Sequence, residues 1–289
     1  MSKANDILLQ RANDLTYIKY FTQFYNLALN IFKWENTTDR NGNNEIESRF
    51  IERTLIENGY CFVYEDSDFG LVCMPCTLVG LNIYNEPTQI QITSPLINKT
   101  LKVSDGVLIY NNYTKTGLMP IIMNYVDRLT EIETTINTNI YLQKAPYILV
   151  ADKKTEKSIR EVTKQITSNE PVIIVKANLI EGLQNISLNT NFVAPDLYEL
   201  KQKIENEFLT FIGLNNNCEA SKKERLLVDE INVNNDYINR NVDILYNSRE
   251  FACRKINERF GVNWKLTRQN NLAESLKKEV NTEGSDLDE

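Results

Sequence analysis

SKKERLLVDEINVNNDYINRNVDILYNSREFACRKINERFGV, from Ser221 to Val262, is the stretch on which the fold turns. It opens on a charged cluster, Lys222, Lys223, Glu224 and Arg225. It then reads as one long amphipathic helix from about Asn234 to Phe260, stopped by Gly261. A polar loop, Asn215 to Ala220, precedes the cluster, and that loop follows a helix ending in Thr210-Phe-Ile-Gly213. Helix, polar loop, basic cluster and long helix therefore follow one another without a break.

Working outward, Leu15, Ile18, Phe21, Tyr25, Ala28 and Phe32 recur at three and four, which predicts a helix over 5–33. An Asn/Gly/Thr-rich break, Asn36 to Asn44, ends it. A shorter helix from Glu45 to Asn58 presents Ile46, Phe50, Ile51 and Leu55, and Gly59 stops it. Between Tyr60 and Asn112 the period changes to the short runs YCFVYE, GLVCMPC, VGLNIY, TQIQIT, KTLKVS and GVLIYNN, six strands of a small antiparallel barrel or sandwich. Pro120 sits at the early position that proline prefers in a helix. The stripe there is Ile121, Tyr125, Leu129, Ile132, Ile136 and Ile140, and Pro146 ends it.

A compact α/β insert follows, with strands at 147–151 and 171–177, a helix at 155–167, and a further strand near Leu183 to Leu188. Pro195 begins a helix carrying Leu197, Leu200, Ile204, Phe208 and Phe211. After the long helix come a strand in Asn263 to Thr267 and a short helix from Asn271 to Val280. The class is α+β. The seams at 121–143 and 195–212 are narrow. They suit an ordinary bundle, or helices whose polar flanks meet neighbouring subunits around a ring.

Composition narrows the functions. The chain has 289 residues and 42% hydrophobic content, enough for one large core or two smaller ones. Its net charge is −7 and its pI near 5.0, so a generic nucleic-acid-binding module is not expected. Histidine is absent, which removes the usual proton carrier of most hydrolases and a common zinc ligand. Neither a GxxxxGK[ST] loop nor GxGxxG occurs. No run of apolar residues is long enough to span a bilayer, and the N-terminus lacks a signal-peptide core, so a soluble chain of intracellular origin is expected. Glu279 to Glu289 reads as a solvating acidic tail.

Cysteines Cys61, Cys73, Cys76, Cys218 and Cys253 are odd in number and read as free thiols. Cys73-Met-Pro-Cys76 lies in a strand-like run, which favours packed thiols over a redox site. Lys115-Thr-Gly117 has no convincing Ser-x-x-Lys partner. Asp66 and Asp68 read as a hairpin turn. A weaker alternative pairs Asp66 with Asp68, or Asp229 with Glu230, around magnesium in a metal-dependent nuclease.

KKER…DE, SRE-x-AC-x-KINE-x-x-G and the preceding TF-[IL]-G resemble the portal proteins of small short-tailed phages (Picovirinae-type podophages). These are also called upper collar or head–tail connector proteins. FKWEN (Phe32 to Asn36) and VLIYNN (Val107 to Asn112) resemble the same family, and the matches run in family order across most of the chain. The resemblance implies a ring-forming portal fold, expected as a dodecamer around a central channel. Stem helices are implied at 1–35, 120–145 and 193–213. The β-rich wing is 36–119 (helix plus small barrel or sandwich), with a wing helix at 234–262. A small α/β clip covers 146–192, a channel loop 214–233, and a crown with the acidic tail 263–289.

The implied function is a conduit at the capsid vertex through which double-stranded DNA is packaged and ejected, joining head to tail and to the packaging motor. The implied partners are further copies of the chain, phage DNA, major capsid and scaffolding proteins, a packaging ATPase, a packaging RNA, and a lower collar or tail protein. Membrane, cofactor, metal and catalysis have no part in it. The expected place is the virion portal vertex, after assembly in the host cytoplasm. The alternative is an oligomeric scaffold or adaptor that does not bind DNA.

Site residues follow from the same source. Lys222, Lys223 and Arg225 would form a weak positive girdle around the channel, softened by Glu219 and Glu224. Taken alone, KKER reads first as a solvated helix N-terminus. Lys153, Lys154, Lys157 and Arg160 in the clip would face a motor or tail component, although an exposed amphipathic helix explains them as well. The N-terminal arm, MSKAND, carries only Lys3 before Arg11, where the family's arm is basic, which puts RNA binding through it in question. Trp34 and Trp264 read as packing anchors, and the seam of Phe251, Ile256 and Phe260 reads as structural.

Overall fold

The structure is a computed structural model describing residues 3–43, 45–144, 147–150, 184–187, 191–214 and 228–269. The elements in order are α1 (Lys3–Leu29), β1 (Phe32–Glu35), α2 (Ser48–Asn58), β2 (Tyr60–Asp66), β3 (Gly70–Met74), β4 (Thr77–Leu81), β5 (Pro87–Thr93), β6 (Asn98–Lys102) and β7 (Gly106–Tyr110). They continue with α3 (Met119–Lys144), β8 (Tyr147–Val150), β9 (Gln184–Ser187), α4 (Ala194–Ile212), α5 (Val228–Phe260) and β10 (Lys265–Arg268). The chain divides into two compact units, one built from Lys19–Val126 with Asn206–Glu289, the other from Met1–Ile18 with Asp127–Glu205.

All six expected strands form, as two antiparallel three-stranded sheets ordered β3-β2-β7 and β4-β5-β6. The run YCFVYED is apolar almost throughout because β2 is buried on both faces. On one face Cys61 and Val63, with Leu71, Cys73, Val107 and Ile109 of its neighbours, join a core shared with Ile51 and Leu55 of α2 and Ala252, Cys253 and Ile256 of α5. On the other, Phe62 and Tyr64 meet Ile90, Ile92 and Ile97. The result is a three-layer body of helices, sheet and sheet, the arrangement that lets each element bury one apolar face.

Gly59 and Gly117 allow its closest backbone approach. Gly59 ends α2 at φ 87°, and a Cβ there would lie 2.6 Å from the carbonyl carbon of Thr116. A Cβ on Gly117 would lie 2.6 Å from the carbonyl oxygens of both Ile56 and Glu57.

The helix expected over 5–33 stops at Leu29. The Asn30 side chain donates to the Asn26 carbonyl (2.7 Å), and Phe32 to Glu35 then alternate buried and exposed as β1, paired with β10. Its buried face also differs in part: Ala28 is buried as expected, but Tyr20 and Phe24 join it while Leu15 and Ile18 are exposed. In α3 and α4, Ile140 and Leu200 fall outside the buried stripe, and Asn139 takes a buried place by donating to the Asn191 carbonyl and accepting from the Val193 N–H. Helix α5 begins at Val228, so residues 228–233, read as loop, are helical. Of the expected insert, the antiparallel pair β8–β9 lies among the described residues. The helix at 155–167, the strand at 171–177 and the helix from Asn271 to Val280 lie outside them.

Candidate functional site

Lys222, Lys223 and Arg225, and with them Lys153, Lys154, Lys157 and Arg160, lie outside the described residues. The structure does describe the two helix ends between which the first cluster is strung. Gly213 ends α4 at φ 79°, and a Cβ there would meet Val242 Cβ at 2.4 Å, so the end of α4 rests directly on α5. Asn241 of α5 donates from Nδ2 to the Thr210 carbonyl (2.9 Å), and the Leu214 N–H donates to the Leu209 carbonyl (2.8 Å), which satisfies acceptors that a helix end leaves open. Val242 stands about four turns, or about 21 Å, from the start of α5. Residues 214–227 must therefore bridge from the middle of α5 to its beginning.

Helix α5 is held in turn by a buried polar knot. Arg249 and Glu52 side chains are each 1% exposed. Arg249 Nε donates to Glu52 Oε1 (2.9 Å), Nη2 to Glu52 Oε2 (2.9 Å) and Asn111 Oδ1 (2.8 Å), and Nη1 to the carbonyls of Asn111 (2.9 Å) and Leu245 (3.0 Å). All five guanidinium N–H groups are thereby used. Trp34 Nε1 donates to Glu52 Oε1 (2.7 Å), and the guanidinium lies 4.6 Å from the Phe32 ring centre. One arginine thus ties β1, α2, the end of β7 and α5 together. Arg249 lies in the Ser248-Arg-Glu250 motif, but no pattern in the chain points from it to Glu52.

The other candidates resolve as structure. Asp66 Oδ1 accepts the N–H groups of Asp68 (3.0 Å) and Phe69 (3.4 Å), and Oδ2 accepts Lys99 Nζ (2.5 Å) and Tyr64 Oη (3.3 Å). Both oxygens are occupied in closing the β2–β3 turn onto β6, which argues against a magnesium pair of Asp66 and Asp68. Among the described residues no group of three His, Cys, Asp or Glu side chains could hold a metal ion. The Lys99 hydrogen bond, chiefly, holds the Asp66 carboxyl at about 2, below the usual 3.8.

A lowered carboxyl contributes stability that is complete above pH 3.8 and is lost as pH falls through about 2. Asp66→Asn is therefore expected to melt earlier than the native chain at pH 7, with the gap closing between about pH 4 and 2 in thermal melts taken across that range.

Lys115 Nζ pairs with Glu86 (2.6 Å), and the Thr116 carbonyl accepts from Asn111 and Asn112, so Lys115 to Gly117 is a latch between loops. Cys61, Cys73 and Cys253 are buried. Burial pushes the thiols of Cys76 to about 12, Cys253 to about 11 and Cys61 well above its ordinary value, the opposite of an activated nucleophile. Trp34 and Trp264 meet edge to face with ring centres 6.1 Å apart, as packing anchors. Phe251 departs from its expected seam. Ile256 and Phe260 are buried, whereas Phe251 is exposed. No helix among the described residues is long and apolar enough to cross a membrane.

Comparison with known proteins gives a match over almost the whole chain. The family model described as Phage Connector (GP10) matches residues 2–273. Among solved structures, an HK97 family phage portal protein from Corynebacterium diphtheriae aligns with a TM-score of 0.51 at 11% identity, over 89% of this chain and 94% of that one. A chain from the portal and tail of native bacteriophage P68 aligns with a TM-score of 0.49 at 16% identity, over 100% of this chain and 98% of that one.

Proposed function

The chain belongs to the phage connector family, and from that premise we propose that it builds the channel through which double-stranded DNA enters the capsid and leaves it. It is a portal or connector protein of α+β fold, a structural component of the virion at the head–tail junction, associated with capsid and tail as an oligomeric ring. The observation that carries this reading is the family match over residues 2–273.

The finer assignments are ours. The ring is a dodecamer. The helices over 1–35, 120–145 and 193–213 form its stem, 36–119 with 234–262 its wing, 146–192 its clip, and 263–289 its crown and tail. The clip, with Lys153, Lys154, Lys157 and Arg160, faces a packaging ATPase and then the lower collar. Hydrolysis belongs to that motor and not to this chain, which assembles in the host cytoplasm with capsid and scaffolding proteins. A packaging RNA is the weakest of the proposed partners, given the single lysine in the N-terminal arm.

Residues 214–227, with Lys222, Lys223 and Arg225, form the channel loop. Two features support this: the segment is rooted at both ends on α5, and it carries a basic cluster in an acidic chain. A conduit has to touch a duplex without gripping it. Each phosphate neutralised adds salt-sensitive affinity, so a chain of net charge −7 with one small cluster per subunit gives a weak, sequence-independent hold.

The first test is the mass of the purified protein with negative-stain images of the same sample. Twelve copies of 33.5 kDa around an axial hole are expected. A chain that stays monomeric or dimeric even with scaffolding and capsid proteins present would favour the adaptor alternative. The second test is the double substitution K222A/K223A. Ring assembly should be unchanged, and the yield of heads that keep a full genome should fall severalfold. Native yields in that variant would remove the channel-loop assignment.

A further inference from the structure

We propose that Asn41 is a site of spontaneous deamidation, and that the change unseats Arg40 from the carboxyl end of α5. Two asparagines of the chain precede a glycine, Asn41 and Asn58. Glycine leaves its own peptide nitrogen open to the preceding asparagine amide, because no Cβ stands in the way. The fold treats the two pairs in opposite ways.

Asn41 and Gly42 are both exposed, in the loop between β1 and α2. Gly42 has φ 77°, and a Cβ built on it would meet nothing within 4 Å. One hydrogen bond restrains the attacking nitrogen: the Gly42 N–H donates to the Asp39 carbonyl (3.1 Å). Opening such a bond at an exposed loop tip costs little. Asn58, in contrast, is the last residue of α2, and Gly59 is buried. The Gly59 N–H donates to the Leu55 carbonyl (2.8 Å), and a Cβ there would lie 2.6 Å from the carbonyl carbon of Thr116. To react, Asn58 would have to unwind the end of α2 and lift it off Thr116 and Gly117. The same dipeptide is locked there.

The reaction needs only water. The Gly42 nitrogen bonds to Asn41 Cγ, the Cγ–Nδ2 bond breaks, and Nδ2 leaves as ammonia with the proton from Gly42. The product is a cyclic imide, closed by two groups that the chain already holds together. Water then breaks one of the two ring C–N bonds. Opening at Cγ gives aspartate. Opening at the main-chain carbonyl carbon gives isoaspartate, with the chain routed through Cβ and Cγ. A hollow of about 130 Å³ beside the turn, walled by Asp39, Arg40, Asn41, Glu65 and Phe260, is large enough to hold that water.

The same turn carries Arg40. Its Nε donates to the Phe260 carbonyl, one of the acceptors left open at the end of α5. It also lies against Gly261, where a Cβ would meet Arg40 Nε at 3.0 Å. Asp39 holds the turn in shape: Oδ1 accepts the N–H groups of Asn41 (2.8 Å) and Asn43 (2.9 Å), and its own N–H donates to the Asn43 carbonyl (2.9 Å). Isoaspartate adds a methylene to the main chain inside that ladder. The bonds on either side of position 41 can then no longer all be made, and Arg40 loses its place.

The test holds the full folded chain at mildly alkaline pH and follows both asparagines by peptide mapping, with electron-transfer fragmentation to tell isoaspartate from aspartate. Asn41 is expected to convert about tenfold or more faster than Asn58. In the chain unfolded by urea the two rates should come together. The converted form gains a negative charge, so anion exchange separates it, and it should melt a few degrees below the fresh chain. Asn41→Gln kept under the same conditions should hold its melting temperature.

An intact Asn41, or equal rates in the folded chain, would overturn the site. So would a gap that persists in urea, which would give the difference to the neighbouring side chains and not to the fold. Converted chains that melt with the fresh ones would leave Arg40 seated and overturn the second half of the proposal.

Discussion

Arg249→Met is expected to lower folding stability by about 3–5 kcal/mol, because it leaves Glu52 charged, buried and stripped of its partner. Glu52 retains only the Trp34 N–H as a hydrogen-bond donor from the knot, and the carbonyls of Asn111 and Leu245 lose a donor in an interior that water does not reach. Arg249→Lys should rescue little, since an ammonium has three donors and no planar fork with which to span Glu52 and Asn111. The informative control is R249M/E52L. With both charges gone the unpaired carboxylate disappears, and the double variant should be more stable than R249M alone. Urea unfolding of the three variants checks this. A single Arg249→Met that unfolds at the native midpoint would mean that the knot contributes nothing to stability.

Phe208→Ala should be nearly as damaging, with a loss of about 3–5 kcal/mol from the removed side chain and the cavity it leaves. Phe208 is 0% exposed. Its ring stacks on Phe24 at 4.0 Å and 9°, and Tyr125 meets it edge-on at 5.4 Å. These rings come from α4, α1 and α3, so one side chain joins three helices that are far apart in the chain. Tyr125 also donates to Glu207 (3.0 Å), which holds its ring against Phe208. Phe208→Leu should lose less, because leucine fills part of the volume. Equal losses in both variants would point to the aromatic stacking geometry and not to the volume.

The strands between Tyr60 and Asn112 were legible because β propensity and turn residues act locally: six runs separated by Gly, Pro and Asp gave six strands. How those strands divide into two sheets was not legible, since β2 is apolar on both faces and its neighbours are chosen across the chain. Helix faces were read less well than helices. In α1, Phe21 and Tyr25 fit the three-four spacing as well as Tyr20 and Phe24 do, and only the position of Phe208 decides between them. Phe251 was misplaced for a related reason. Periodicity places an apolar residue on one face of a helix, but does not say whether the rest of the chain covers that face. The basic cluster at 222–225 was visible as a local run in the sequence, whereas the Arg249–Glu52 knot joins residues with no common local pattern, and the fold was needed to bring them together.

The seating of Gly213 on Val242 makes the length of residues 214–227 a separable property of the molecule. Because α4 is anchored midway along α5, adding or removing residues there need not move either helix. The entropy of closing a flexible connection rises by only about 0.6 kcal/mol for each doubling of its length. If this segment lines the channel as proposed, the bore could be widened or narrowed by insertion and deletion alone, without refitting the wall that carries it. Pores graded in diameter, for duplexes, single strands or unfolded polypeptides, become a matter of editing one short segment.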